Sequence, residues 1–158
     1  MPLIIAHRGL PKAFPENTLE SYRAALEHKP DVVECDYHHS ADNIPIVIHD
    51  KLLDRTTNAV EKLGRKEARV SELTAAELSQ FDAGSWFKKN PTPAARLSTL
   101  DAIIDAVTPH ALLMIERKGG DAGPLVELLR KKDCVDRVVV QAFEWDFILD
   151  CHQVESRI

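Results

Sequence analysis

Seven polar residues in this sequence are of the types that hold a metal ion, bind an anion or transfer a proton. They are His7 with Arg8, Glu34 with Asp36, His49, and Glu116 with Lys118. Three carboxylates suit a hard divalent cation such as Mg²⁺ or Ca²⁺ far better than zinc or copper. Two histidines titrate near neutral pH and can share acid and base roles, while Arg and Lys supply fixed positive charge. Together these groups could neutralise a phosphodiester, activate an attacking oxygen and protonate a departing one.

The seven residues lie at or just after the ends of short apolar runs, which are typical of buried parallel strands. The runs span residues 2–6, 31–36, 44–48, 111–115 and 137–141, and segments of helical period follow several of them. Alternation along 31–36 sends Glu34 and Asp36 to one face of that strand. Because an α/β barrel carries its site at the carboxyl ends of its strands, we expect the seven side chains to converge there.

Helix-start signals lie between several of these runs. Asn17 with Glu20 has the spacing of a capping box at the start of one helix. Thr74 with Glu77 has the same spacing, and a third helix begins at residue 98 or 99. The sequence therefore predicts an α/β fold in which helices connect the strands.

Two segments depart from simple alternation of strand and helix. Residues 37–44 are too few for a helical crossover, so we expect an extended or irregular link there. Residues 51–96 are polar and irregular apart from the helix at Thr74, and we interpret them as an insertion that serves as a lid or substrate loop. Residues 156–158 have the pattern of a strand that is just beginning.

The composition is that of a globular protein. The chain has 158 residues, and the 44% of them that are hydrophobic exclude a disordered chain. Its formal net charge of −5 gives no general attraction to nucleic acid. Three widely spaced cysteines argue against disulfides and structural zinc, and they favour a reducing, cytoplasmic setting. The apolar stretch near the N-terminus is too short for a signal peptide or stable membrane insertion. A complete (β/α)8 barrel usually takes about 250 residues, which is more than this chain has.

Each candidate also has an ordinary structural interpretation. A lone histidine at a strand end more often caps the sheet by hydrogen bonding, and a lone carboxylate more often pairs with a neighbour or solvent. The placement of all seven at strand ends weakens this alternative. Other residues that we interpret as solvated or structural are His28, His38, His39, His110, His152, Asp50 and Asp54, with Phe81, Trp86 and Phe87 as a small satellite core.

Seven short motifs follow one another in a fixed order across residues 7–118. They are His7-Arg8-Gly9, Pro15-Glu16-Asn17-Thr18, Glu34-Cys35-Asp36, Pro45-Ile46-Val47-Ile48-His49-Asp50, Arg55-Thr56-Thr57, Leu97-Ser98-Thr99-Leu100 and Glu116-Arg117-Lys118. In order and spacing they resemble the glycerophosphodiester phosphodiesterase family. The sequence departs from the family after Asp36, where the family has a Thr and an Asp-Gly turn, but Asn43 tolerates the positive φ of such a turn.

The resemblance implies a TIM (β/α)8-type barrel, with about the first five strands in this chain and residues 51–96 as an inserted subdomain after the third. It also implies hydrolysis of glycerophosphodiesters, such as glycerophosphocholine, to glycerol 3-phosphate and an alcohol. By the same resemblance, Glu34, Asp36 and Glu116 would hold one divalent cation, Mg²⁺ or Ca²⁺, His7 and His49 would be general acid and base in either order, and Arg8 and Lys118 would bind the phosphate.

Two other functions stay open at this point. The expected absence of the last three strands favours a shortened relative that binds metal or phosphate without turnover, whereas the presence of both His7 and His49 favours an active enzyme. A phospholipase acting on lyso lipids would need an exposed apolar rim, for which Trp86 and Phe87 are weak candidates. An open five-stranded sheet would also expose strand edges, which favours association between copies.

Overall fold

Six strands form one mixed sheet in the computed structural model, which describes residues 2–92 and 95–158. In chain order the strands are β1 (Ile5–His7), β2 (Val32–His39), β3 (Pro45–Val47), β4 (Ser98–Thr99), β5 (Leu112–Arg117) and β6 (Val138–Gln141). The helices are α1 (Leu19–Leu26), α2 (Ala59–Leu63), α3 (Ala75–Leu78), α4 (Leu100–Val107), α5 (Ala122–Lys131) and α6 (Trp145–Val154). The class predicted from the sequence, an α/β fold with part of a barrel, is confirmed.

Four strands, β1, β2, β5 and β6, run parallel to one another. Helix α1 connects the first two and α5 connects the last two, as expected for strand–helix–strand units. The register places His7 beside Glu34 and Asp36 beside Glu116. Polar residues that are far apart in the sequence are therefore neighbours at the carboxyl edge of the sheet.

The third apolar run is not another parallel strand, and that prediction was wrong. Strand β3 pairs antiparallel with the end of β2, with Val47 opposite Tyr37. The Ser40 N–H donates to the Ile44 carbonyl at 3.0 Å, and Asn43 adopts the left-handed conformation with φ 59°. A link of this length permits a hairpin but no crossover helix, so the chain turns back on itself.

The first helix begins one residue later than the capping-box spacing predicts. Thr18 is its N-cap, and the Ser21 N–H donates to the Thr18 hydroxyl at 3.3 Å. Asn17 has a positive φ of 57° and points its side chain into the sheet edge instead. The other two helix starts are confirmed, because Thr74 forms a capping box with Glu77 and Thr99 caps α4.

Residues 156–158 do not begin a sixth parallel strand. They form a turn in which the Ile158 N–H donates to the Glu155 carbonyl at 3.0 Å. The Glu155 carboxylate is held by both Arg130 and Arg157. The chain therefore ends on α6 and its closing turn, against the helix side of the sheet.

Two apolar clusters support the fold. The larger one packs α4 and α5 against the sheet and includes Val33, Cys35, Ile104, Leu113, Ile115 and Leu125. The smaller one lies mainly under residues 51–96 and includes Ile46, Leu53, Leu78, Phe81 and Leu97. A separate core is what an inserted subdomain would need, but the subdomain boundaries at 51 and 96 stay a prediction. Positions 93 and 94 of that segment lie outside the described residues.

The predicted satellite core holds in part. Phe81 is buried in the smaller cluster. Trp86 and Phe87 are half-buried and meet edge to face, and the Trp86 indole donates to the Ala83 carbonyl at 2.8 Å.

Of the helices in the described ranges, not one is long and apolar enough to span a membrane. All three cysteines are buried free thiols.

Candidate active site

Three buried carboxylates form the centre of the site. Glu34 and Asp36 extend from one face of β2, and Glu116 extends from the paired position on β5. Each offers an oxygen, and these oxygens all lie within 4.8 Å of one another. This convergence, which the period-two alternation predicted for two of the three, gives a cluster with the oxygen chemistry of a Mg²⁺ or Ca²⁺ site.

The electrostatics of this cluster call for a cation. Burial, and then the neighbouring charges of Asp36 and Glu116, raise the pKa of Glu34 to about 7, although the Arg8 N–H donates to its Oε2 at 2.9 Å. The Glu34 Oε1 atom is buried and has no hydrogen-bond partner among the described residues. A buried acceptor left in this way is costly unless a further group binds it. The three carboxylates therefore fit a divalent cation.

Two cationic side chains border the carboxylates. The Lys118 ammonium contacts the Glu116 carboxylate and lies 3.4 Å from Asp36 Oδ1. Burial lowers the pKa of Lys118, but its contacts with Glu116 and Asp36 outweigh burial and raise the pKa above its usual value. Arg8 places its Nε 3.1 Å from Asp36 Oδ2. Both predicted phosphate-binding residues are thus beside the cluster, already paired with its acids.

The turn that carries Arg8 depends on the glycine that follows it. Gly9 has a φ of 87°, and a Cβ at that position would collide with Ser21 in α1. Arg8 itself has a positive φ of 56°. Glycine allows the chain to pass closely beneath α1, and this passage directs the Arg8 side chain toward Asp36.

The two histidines reach the level of the cluster from different strands. His7 ends β1, and its Nε2 lies 3.9 Å from Glu34 Oε2. His49 follows the hairpin strand β3, and the Ile48 N–H donates to the Asp36 carbonyl at 3.0 Å. The returning arm of the hairpin thus brings His49 back to the level of the cluster, although β3 runs opposite to the direction predicted.

His49 is contacted by two residues that we interpreted from the sequence as solvated or structural. Its Nδ1 lies 2.6 Å from Asp50 Oδ1, and its carbonyl accepts a 3.1 Å hydrogen bond from His38 Nε2. Burial is the main cause that lowers the pKa of His38, which favours the neutral ring that this contact uses. The interpretation of His38 and Asp50 as residues without a site role was incomplete.

Asn17 is a second residue that the sequence reasoning assigned wrongly. Its amide donates to Asp36 Oδ2 at 3.0 Å and accepts from the Tyr22 hydroxyl at 2.6 Å. Tyr22 is fully buried, so this link fixes Asp36 from beneath the site. The positive φ of Asn17 could not be predicted from the sequence. Its place in the second of the seven motifs did indicate a role in the site, but the capping-box spacing suggested a helix cap instead.

Fold and site together define an α/β-barrel type of protein with a carboxylate cluster and two histidines at the carboxyl edge of its sheet. The family model for the glycerophosphoryl diester phosphodiesterase family matches residues 7–158. The chain belongs to this family.

Proteins of known sequence and structure agree with this membership. The chain is 32% identical to a glycerophosphodiester phosphodiesterase of Bacillus subtilis, over 99% of this chain and 57% of the relative. It is 31% identical to one from Caldanaerobacter subterraneus, over 89% of this chain and 58% of the relative. The chain thus spans less than two thirds of the length of either relative.

Solved structures show the same fold. A glycerophosphodiester phosphodiesterase from Agrobacterium tumefaciens superposes with a TM-score of 0.87 at 30% identity, covering 100% of this chain and 65% of the other. An Oleispira antarctica phosphodiesterase, solved in complex with the product sn-glycerol-3-phosphate, superposes with a TM-score of 0.83 at 26% identity, covering 99% and 63%.

Proposed function

We propose that this protein hydrolyses glycerophosphodiesters to glycerol 3-phosphate and an alcohol. The observation that carries the proposal is the meeting of Glu34, Asp36 and Glu116 within 4.8 Å. His7, Arg8 and Lys118 lie beside these carboxylates, and His49 follows Ile48, whose N–H donates to the Asp36 carbonyl. Family membership supports the reaction class. The neighbour solved with sn-glycerol-3-phosphate supports the product.

The charges of the site support a need for one divalent cation, Mg²⁺ or Ca²⁺. The three carboxylates exceed the positive charge of Arg8 and Lys118 by one when all are ionised. A phosphodiester is itself an anion, so this site would repel it without further positive charge. Glu34, Asp36 and Glu116 would hold the cation, which when bound supplies charge stabilisation at the phosphoryl oxygens.

Arg8 and Lys118 would bind the phosphate. In the structure each is paired with a carboxylate, so their ammonium and guanidinium groups are already placed before substrate arrives. Lys118 would share the oxygens of Asp36 and Glu116 with a bound cation. Its ammonium group would then be held less tightly by these acids and could turn toward the substrate. The guanidinium of Arg8 is rigid and planar, so it can bind two phosphate oxygens at once, which the flexible side chain of a lysine does less well.

His7 and His49 would be the general acid and the general base. A phosphodiester hydrolysis needs a proton removed from the attacking oxygen and another delivered to the departing alcohol oxygen as the P–O bond breaks. His49 directs Nδ1 to Asp50, which leaves Nε2 for that exchange.

A lyso lipid is a second candidate substrate, favoured by one aromatic side chain. Phe143 follows β6, its side chain is largely exposed, and its ring centroid lies 5.5 Å from Lys118 Nζ. This ring, rather than Trp86 and Phe87, would supply the apolar rim that a lipid substrate requires. A soluble head group, such as that of glycerophosphocholine, remains the better candidate because the rest of the site is polar.

The test is release of choline from glycerophosphocholine, with glycerol 3-phosphate as the second product, and in parallel from lysophosphatidylcholine, with lysophosphatidic acid as the second product. Each reaction is run with Mg²⁺, with Ca²⁺ and with chelator. We expect metal-dependent release that chelation abolishes and added metal restores. Turnover of the lyso lipid alone would favour the second candidate.

The matched control for this test separates chemistry from folding. His7→Ala should remove turnover while leaving the thermal unfolding midpoint within a few degrees, since the His7 side chain is exposed. A folded wild-type chain that binds metal but releases no product with either substrate would contradict the proposal and favour a binding role. A cytoplasmic setting and association between copies stay predictions.

A further inference from the structure

Arg55 connects two carboxylates that belong to different loops of the site. Its Nε and Nη2 donate to Asp50 at 2.6 and 3.0 Å. Its Nη1 and Nη2 donate to Glu16 at 3.0 and 2.8 Å. One guanidinium therefore binds two carboxylates bidentately, a geometry that lysine cannot reproduce.

Each carboxylate that Arg55 binds also contacts a proposed site residue. Asp50 contacts His49 Nδ1 at 2.6 Å, and Glu16 accepts from Arg8 Nη1 at 3.1 Å. The contacts thus run from Arg8 through Glu16, Arg55 and Asp50 to His49. They cross from the loop after β1 to the loop after β3.

The contact with Asp50 determines which nitrogen of His49 carries the proton. Hydrogen bonding to Arg55 is the main cause that lowers the pKa of Asp50 to about 2, so its carboxylate is ionised and only accepts. His49 Nδ1 must then be the donor, and the neutral ring presents its unprotonated Nε2. A second group that fixes the ring of a histidine in this way typically affects its function strongly.

The position of Arg55 in the sequence is informative. It lies in the segment 51–96, outside the strands that carry the seven predicted residues. Two further contacts tie this segment to the loop after β1, because Lys89 donates to the Lys12 carbonyl at 2.8 Å and Asn90 to the Ala13 carbonyl at 3.1 Å. The segment is therefore joined to the site at more than one point.

We propose that Arg55 is a positioning residue that acts through Asp50 to fix the orientation and tautomer of His49, with Glu16 as its anchor in the loop after β1. The inference rests on the proposed function for its kinetic consequence but not for its structural one. It gives the segment 51–96 a direct part in assembling the site, beyond that of a lid.

The test compares Arg55→Ala and Arg55→Lys with Arg65→Ala. Arg65 is the matched control because it pairs with Glu72 in the same segment, at an exposed position outside the contacts that reach His49. We expect Arg55→Ala to lower kcat about 10- to 100-fold, with a smaller change in KM, and Arg65→Ala to change either by less than about 2-fold. Arg55→Lys should recover little, and added methylguanidinium should partly rescue Arg55→Ala.

The second readout does not depend on turnover. Nitrogen-15 NMR of the His49 ring, assigned with His49→Gln, should show the Nδ1–H tautomer in the wild type and in Arg65→Ala, and a mixture of tautomers in Arg55→Ala. A wild-type tautomer in a folded Arg55→Ala protein, or a kcat within 2-fold of wild type, would overturn the inference. If the wild-type chain has no phosphodiesterase activity, the proposed function fails, and the NMR result alone then decides the role of Arg55.

Discussion

The two histidines beside the carboxylate cluster are held to very different degrees. His49 has 32% of its side chain exposed, a 2.6 Å contact to Asp50 and a carbonyl fixed by His38. His7 has 61% of its side chain exposed and lies 3.9 Å from Glu34, which is beyond hydrogen-bond distance. One ring is oriented by the protein before any ligand arrives, and the other is free to turn.

The difference follows from the strands that carry them. His49 sits between a hairpin paired with β2 and the segment 51–96, which has its own apolar core. His7 ends a strand of three residues whose apolar neighbours Leu3, Ile4 and Ile5 are exposed. Packing on both sides of a segment supplies the contacts that fix a side chain, and packing on one side leaves it mobile. We therefore expect the His7 ring to become ordered when substrate and cation bind.

The largest loss of activity should come from changing the carboxylate cluster that would hold the cation. Glu116→Gln keeps the shape of the side chain but removes one negative oxygen from the cluster. Since a catalytic metal contributes several kcal/mol of charge stabilisation, we expect a loss of about 10³-fold in kcat/KM. Calorimetry should show weaker Mg²⁺ or Ca²⁺ binding in the same variant.

The control for this prediction is Glu127→Gln on the exposed face of α5. It removes the same charge from the chain and should leave metal binding and turnover unchanged. Equal metal affinity in Glu116→Gln and wild type would show that the cluster is not the cation site.

Removing each histidine should separate the acid from the base. We expect His7→Gln and His49→Gln each to lower kcat by about 10²-fold, the lower end of the range of general acid–base catalysis. The 4-nitrophenyl ester of glycerol 3-phosphate has a leaving group that needs no proton. It should restore turnover in only one of the two variants, and that variant lacks the general acid.

The same pair of variants tests the difference in positioning. NMR relaxation of the two rings should show a more rigid His49 than His7 in the ligand-free protein. Addition of Mg²⁺ with glycerol 3-phosphate should rigidify His7 more than His49. Equal mobility of both rings without ligand would contradict the difference described above.

The smallest expected effect is on stability in acid. The folded-state pKa of Asp50, about 2, lies below the usual value near 3.9, so its contribution to stability is present above about pH 4 and is lost as the pH falls toward 2. The wild type should exceed Asp50→Asn in free energy of unfolding at pH 5, and the gap should narrow on acidification. Denaturant titrations at several pH values measure this gap, which added salt should reduce because the group is partly exposed.

A gap that stays constant between pH 5 and pH 2 would mean that the ion pair does not stabilise the fold. In that case the role of Asp50 would be confined to orienting His49. Asp54→Asn, a change of the same kind at a nearby half-buried acid that accepts from the Glu67 N–H, provides the control.

Much of the site was predictable because strand periodicity is a local property. Glu34 and Asp36 share a face whatever the strand pairs with, and the residues after 111–115 reach the same edge once the strands run parallel. The direction of 44–48 was not predictable from its apolar pattern, since a strand has the same periodicity in both directions. The short link before this strand excluded a crossover helix, but its length alone did not predict a hairpin.

Three residues of the site were not predicted, for a different reason. Asn17, His38 and Arg55 form hydrogen bonds with Asp36, His49 and Glu16, which are 19, 11 and 39 positions away in the sequence, and no local period marks such partners. Asn17 even carried a misleading local signal, because the residue types that cap helices also satisfy buried carboxylates. The motifs that contain Asn17 and Arg55 indicated that these two residues matter, but not what they contact.

The sequence by itself determined the fold class, the family and the set of acids, bases and cations available for chemistry, because residue type, periodicity and motif order are properties of the chain alone. The tertiary structure decided how those groups are paired. It brought Glu116 within reach of Asp36, returned His49 to the cluster through a hairpin, and placed Arg55 between two loops. Hydrogen bonding and charge pairing depend on distances of a few ångströms, and these are fixed only when separate segments pack together.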